Sequence, residues 1–147
     1  MCEDVRLVRA QDADQIRTIA DIESKCFGHP YTFKQLIEEV ENPKNIILSA
    51  YIGRECVGYM YYSAVLDECE LLRIAVIPQY RHLGIGTKIL QLSYKYLSKD
   101  IKSIFLEVSK NNIYARKMYT KFGFKEISVR QKYYHDGSDA VIMRKNI

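Results

Sequence analysis

The sequence predicts an α/β (α+β) fold with a mixed, mostly antiparallel central sheet flanked by helices. Two features carry that prediction. The middle of the chain holds three β-rich runs in succession, 45–52, 56–65 and 70–77, as an antiparallel meander would. The second half then alternates strand and helix patterns, the arrangement of a parallel crossover. A chain of 147 residues, 48% hydrophobic and 27% charged, can bury one sizeable core. No repeat, Gly/Ser linker or shift in composition marks a boundary, so a single domain over 1–147 is expected.

The elements follow in order. Val5-Arg6-Leu7-Val8-Arg9 alternates with the period of a half-buried strand. Asp12 or Asp14 can cap a helix that carries Ile16, Ile19, Ala20 and Ile22 on one face. A second helix starts near Thr32, places Phe33, Leu36, Ile37 and Val40 at helical spacing, and stops at Asn42-Pro43. The runs 45–52 and 56–65 meet at Gly53-Arg54-Glu55, a hairpin turn, and 70–77 can pair antiparallel with its predecessor. Ile85, Ile89, Leu90, Leu92, Tyr96 and Leu97 form a helical stripe over 84–97, and 103–108 reads as a buried strand. Asn111 or Asn112 can cap a further helix to Lys121, with Gly123 at its exit. Two last strands, 124–134 and 140–144, flank Asp136-Gly137, giving the order β-α-α-β-β-β-α-β-α-β-β.

Composition narrows the function. Lys+Arg 22 against Asp+Glu 18 gives +4, which suits an anionic small ligand or a ribosome-associated target, and no dense basic stripe with interleaved aromatics points to direct nucleic-acid binding. No apolar run approaches the roughly 20 residues of a membrane span. Met1-Cys2-Glu3-Asp4 has no basic stretch leading into an apolar one, so a cytoplasmic protein off the membrane is expected. Cys2, Cys26, Cys56 and Cys69 lie far apart without a CxxC pair, and His29, His82 and His135 are scattered. Reduced thiols and no metal site are the expectation.

The segment with most chemical content is Arg81-His82-Leu83-Gly84-Ile85-Gly86-Thr87, which follows a strand and opens an amphipathic helix. Glycines there let backbone amides approach a ligand, and free amides at a helix N-terminus favour a phosphate. A plain glycine-rich turn is the alternative. Two familiar nucleotide motifs fail: Gly86-Thr87-Lys88 inverts the Walker order, and Ile89 stands where a dinucleotide fingerprint needs its third glycine.

Arg-x-x-Gly-x-Gly between a strand ending Ile74-Ala75-Val76-x-Pro78 and a helix resembles the acetyl-coenzyme A motif of GNAT-type N-acetyltransferases. The likeness continues through Asp67-Glu68-x-x-Leu71-Leu72, Leu106-Glu107-Val108, Asn112 with Ala115, Tyr119-x-x-Phe122-Gly123-Phe124 and Arg130-x-x-Tyr133-Tyr134, in the manner of the branch that acetylates ribosomal-protein alanine. The resemblance implies that Ile74, Ala75 and Val76 hydrogen-bond the pantetheine arm through their backbone, where their strand splays from that of Glu107. It further implies that Arg81, His82, Leu83, Gly84, Ile85, Gly86 and Thr87 hold the pyrophosphate, mainly by amides, and that Asn112 meets the cofactor near its reacting end.

Glu107 lies on an otherwise apolar strand, so its carboxylate needs a partner or a raised pKa. Read from its residues alone, it is either an ion-paired strand-end glutamate or a general base. The resemblance implies the base. Tyr119 shares a helix face with Ala115, Met118 and Phe122, as a core aromatic would; the resemblance makes it the acid that protonates the leaving thiolate. Tyr31, Tyr133 and Tyr134 can wall a peptide groove or simply pack. Tyr31 also departs from the family, which often has Trp after His-Pro, and Thr87 stands where some relatives carry Arg. An acyl-cysteine route through Cys69 or Cys26 would need a basic neighbour, and neither has one in sequence.

The implied activity is acetyl transfer from acetyl-coenzyme A to a protein N-terminal amine, with a small-subunit ribosomal protein's N-terminal alanine as acceptor, by a monomer or weak dimer. The alternatives are an acetyltransferase for lysines or small amines on the same cofactor site, and an acyl-coenzyme A-binding regulatory module without turnover.

Overall fold

The computed structural model describes residues 4–147; the expectation of a reduced thiol at Cys2 lies outside the described residues. The strands are β1 (Val5–Arg9), β2 (Asn45–Ile52), β3 (Glu55–Val65), β4 (Glu68–Val76), β5 (Ser103–Ser109), β6 (Lys125–Arg130) and β7 (Ala140–Asn146). The helices are α1 (Ala13–Cys26), α2 (Phe33–Glu41), α3 (Ile85–Ser93) and α4 (Ile113–Lys121). The sheet order is β1-β2-β3-β4-β5-β7-β6, and the element order is the one the sequence predicts. Contacts divide the chain into two compact units, and β4 contributes residues to each.

The first unit gathers the described residues up to Ser63 with Arg73–Ser98. β1 runs antiparallel to β2, and β2 to β3, with a bulge at Ala50/Tyr51. Both helices begin on a capping box: Asp12 takes the Gln15 amide and Thr32 the Gln35 amide, while each glutamine returns a bond to the cap backbone. Of the two candidate caps for α1, Asp12 is the one used. The helices bury Ile16, Ile19, Ile22 and Leu36, the apolar positions their spacing marks. Two tyrosines of β3 tie them to the sheet, Tyr59 donating to Glu23 of α1 and Tyr61 to Glu39 of α2.

Gly58 of β3 answers a close approach. A Cβ built there would stand 2.3 Å from the Ala75 carbonyl oxygen, so only glycine fits against β4 at this point. α3 is shorter than its predicted span of 84–97. Ser93 Oγ donates to the Leu90 carbonyl at 2.7 Å and lies 2.9 Å from the Tyr62 hydroxyl, and after it the chain tightens into a 3-10 turn over Tyr94–Tyr96.

The second unit comprises Ala64–Leu72 and Lys99–Ile147. β4 pairs parallel with β5 over Glu68↔Ser103, Cys69↔Ile104 and Glu70↔Phe105, the register of the predicted crossover, and β4 then continues to Val76 and β5 to Ser109. β7 lies antiparallel to β5 on one side and to β6 on the other. β6 ends at Arg130, short of the predicted 134. Beyond it Lys132 adopts φ 50°, Asp139 Oδ1 takes the Lys132 amide at 2.9 Å, and Asp136 Oδ1 takes the Ser138 amide at 2.9 Å. Side chains thereby occupy backbone donors that a longer ladder would have used. β4 likewise starts two residues before the predicted 70 and stops at Val76, because Ile77 leads into a 3-10 turn over Pro78–Tyr80.

Candidate active site

In the first unit, the glycine-rich segment has the backbone of an anion site. Gly84 is the N-cap of α3 with φ 80°, a left-handed conformation that a side chain strains, and it offers no side-chain cap. The first amides of α3, those of Ile85, Gly86 and Thr87, therefore have neither an intrahelical partner nor a capping oxygen. Arg81, His82, Leu83 and Thr87 are exposed, whereas the Ile85 side chain is core. His82 has φ 62°, so the whole turn is unusually bent. These residues fit a pyrophosphate, which asks for amides and a dipole rather than a particular side chain.

Arg81 is tied to β4. Its Nε donates to the Val76 carbonyl at 2.8 Å, and the Cys26 thiol donates to the same oxygen at 3.6 Å. Both bonds fix the end of β4, the stretch Ile74-Ala75-Val76 marked for backbone contact with the cofactor arm.

Tyr31 lies just before α2. Its ring centroid is 4.7 Å from the Arg73 guanidinium carbon and 6.1 Å from the Tyr61 ring, so it packs on its neighbours and keeps part of its surface open.

In the second unit, Glu107 on β5 is about one-fifth exposed, and Arg130 of β6 approaches it at 3.3 Å. Of the two ways an apolar strand tolerates a carboxylate, the structure shows a partner. β7 lies between these strands, with Glu107 opposite Ile142 and Arg130 opposite Ala140, which puts both side chains on one face. Glu70 of β4 shares it. The parallel register sets Glu70 beside Phe105, two residues before Glu107. Burial pushes the Glu70 carboxyl up, the charge of Glu107 raises it further, and Arg130 opposes them. The Tyr134 hydroxyl is also pushed up, first by burial and then by the charge of Glu107. Tyr133 stands edge-on to Tyr134 at 5.2 Å, with Arg130 over its ring at 5.4 Å. The two tyrosines named for the groove thus pack on each other beside Arg130, on a turn instead of a strand.

Tyr119 is buried on α4, edge-on to Phe124 at 5.7 Å. Desolvation raises its hydroxyl well above the ordinary phenol value, so near neutral pH it keeps its proton and releases it less readily than an exposed phenol. Asn112 uses its Oδ1 to cap α4, accepting from the Ala115 amide at 3.1 Å, which leaves its amide nitrogen for any ligand. Cys69 is fully buried and its thiol is pushed up to about 12, so it is no nucleophile near neutral pH. Among the described residues no group of three or more His, Cys, Asp or Glu is placed to hold a metal ion, and no helix is long and apolar enough to cross a membrane.

Sequence reasoning passed over Glu70. A glutamate on a half-buried strand is ordinary, and only the β4–β5 register shows that it shares a face with Glu107.

The Gly84 turn of the first unit has the uncapped helix amides an anionic ligand needs, and the carboxylates of the second unit can take up a proton. The sequence matches the Acetyltransferase (GNAT) family over residues 16–124, and the chain belongs to that family, whose acetyl donor is acetyl-coenzyme A. It is 33% identical to an N-alpha-acetyltransferase of Sulfurisphaera tokodaii, covering 95% of this chain and 90% of that one. It is 40% identical to the [ribosomal protein bS18]-alanine N-acetyltransferase of Escherichia coli over 83% of this chain and 84% of the relative. The crystal structure of the ribosomal-protein-S18-alanine N-acetyltransferase from Escherichia coli superposes with a TM-score of 0.87 at 26% identity, covering 97% of this chain and 94% of that one.

Proposed function

We propose that this acetyltransferase modifies the N-terminal α-amine of a protein, with the N-terminal alanine of a small-subunit ribosomal protein as acceptor. The observation that carries the reading is the cluster of Glu107, Glu70, Arg130 and Tyr134. An amine must shed a proton to attack a carbonyl. Near pH 7 about one α-amine in ten is already neutral, against fewer than about one lysine side chain in a thousand. A carboxylate base suits the former. The names of the relatives from Sulfurisphaera and Escherichia support the same acceptor class.

In this reading acetyl-coenzyme A supplies the thioester carbonyl. Glu107 removes the proton from the attacking amine, directly or through water, and Glu70 adds a second negative charge that draws the ammonium form in. Arg130 holds the Glu107 carboxylate in place. The amide of Val76 stabilises the oxyanion, and Tyr119 Oη donates a proton to the departing sulfur. Ile74 and Ala75 line up the cofactor arm, the amides from His82 to Thr87 take its phosphates, Arg81 braces β4, and Asn112 meets the reacting end. Tyr31, Tyr133 and Tyr134 wall the acceptor. The enzyme acts as one domain in the cytoplasm, where ribosomal proteins are made; the family match includes residues of both units, which supports the single domain.

Thiol release with a panel of acceptors tests the assignment. A short peptide with a free N-terminal alanine should be the preferred substrate over an N-terminally blocked, lysine-containing copy and over a polyamine. Preference for either of the last two would replace the acceptor; coenzyme A binding without thiol release on any amine would make the protein a binding module.

Two substitutions test the parts. Tyr119→Phe should lower kcat by about a hundredfold with little change in either KM. Gly84→Val should weaken coenzyme A binding roughly tenfold by calorimetry, since valine cannot hold the left-handed cap. Unchanged affinity there would remove the phosphate-loop assignment.

A further inference from the structure

Arg73 stands between Leu72 and Ile74 on β4, and nothing in the transfer chemistry calls on it. Its surroundings are nonetheless built in detail. The guanidinium carbon lies 4.1 Å from the centroid of the Phe27 ring and 4.7 Å from that of Tyr31. Nε donates to Glu23 Oε2 at 3.1 Å, and a terminal nitrogen donates to the His29 carbonyl at 3.4 Å. One side chain therefore meets both ends and the middle of the turn between α1 and α2.

Glu23 completes the arrangement. It is 0% exposed, and its Oε1 accepts the Tyr31 amide at 2.8 Å while Oε2 takes the Tyr59 hydroxyl and Arg73 Nε. Burial and the carboxylate push the Tyr59 hydroxyl far up, so it stays a donor. At Gly28 the turn faces open space, for a Cβ there would meet nothing within 4 Å. Arg73 and Glu23 both bond to its backbone.

We propose that Arg73 is a positioning residue for the acceptor: it fixes Tyr31 and the preceding turn in one arrangement, and Glu23 keeps the guanidinium there. The inference rests on the reading of Tyr31 as part of the acceptor wall. Arginine is required because it alone combines a flat face for two rings with a fork of donors; lysine keeps the charge and loses both.

The test is steady-state kinetics with the free-terminus peptide and acetyl-coenzyme A on Arg73→Lys, Tyr31→Ala and the double variant. Arg73→Lys should raise the peptide KM about tenfold, with kcat and the acetyl-coenzyme A KM within about twofold. Tyr31→Ala should raise the peptide KM similarly, and the double variant should be no worse than the larger single effect, because both act through one ring. A general loss of structure would instead lower kcat and raise both KM values. Glu23→Gln keeps an acceptor for the Tyr31 amide but drops the charge, so it should give a smaller rise in the same constant; it serves as the readout where Arg73→Lys does not fold. A peptide KM unmoved by Arg73→Lys but raised by Tyr31→Ala overturns the role of Arg73, as do additive effects. A peptide KM unmoved by Tyr31→Ala removes the acceptor wall and the inference with it.

Discussion

Replacing Glu107 with Gln is expected to lower kcat at pH 7 by about a hundredfold or more while coenzyme A affinity stays within about twofold. The amide keeps the shape and can still meet Arg130, but it cannot accept the acceptor's proton. The loss should shrink as pH rises past about 8, where an α-amine is neutral without help. A pH–rate profile of kcat for both proteins checks the sign: the two curves converge at high pH. A uniform loss across pH, or a large loss of coenzyme A affinity, would make Glu107 a structural residue tied to Arg130 rather than a base.

Gly58→Val should be the most damaging change away from the chemistry. The atom 2.3 Å from its would-be Cβ is the Ala75 carbonyl oxygen, which no side-chain rotation can move, and Ile89 Cδ1 follows at 3.4 Å. β3 and β4 must separate there. The adjacent bond from the Ile77 amide to the Val57 carbonyl, 2.9 Å in the native chain, then lengthens or breaks. Overpacking of this kind costs on the order of 1–3 kcal/mol, or roughly 3–10 °C in Tm for a chain of this size. The displaced stretch is also the one assigned to the cofactor arm, so the KM for acetyl-coenzyme A should rise with it. Thermal unfolding and KM measured on one preparation decide the matter; both unchanged would show that β4 tolerates the shift.

What was legible in the sequence depended on how far apart the interacting residues lie. The boxes at Asp12 and Thr32 close within four residues, and both helices start where those residues say. The Gly84 turn was legible because a strand, a glycine pair and an amphipathic helix follow one another directly. Glu107 and Tyr119 stood out only through the resemblance, since each also reads as ordinary packing. Glu70, Gly58 and Arg73 were opaque for one physical reason: each takes its meaning from a neighbour far along the chain. Glu70 depends on β5, Gly58 on the backbone of Ala75, and Arg73 on Glu23 fifty residues earlier. The last strand pair was misjudged at 131–134 because Asp136 and Asp139 take up backbone amides as side-chain acceptors, which strand patterns do not encode.

The reaction proposed for this enzyme is direct acetyl transfer to a chain's N-terminal amine. The most direct measurement gives the enzyme acetyl-coenzyme A and one peptide that carries a free N-terminal alanine and an internal lysine, then locates the acetyl group by tandem mass spectrometry. A single acetyl group on the alanine nitrogen is the expected result, lost with Glu107→Gln at neutral pH. Acetyl on the lysine with a free terminus left bare would contradict it.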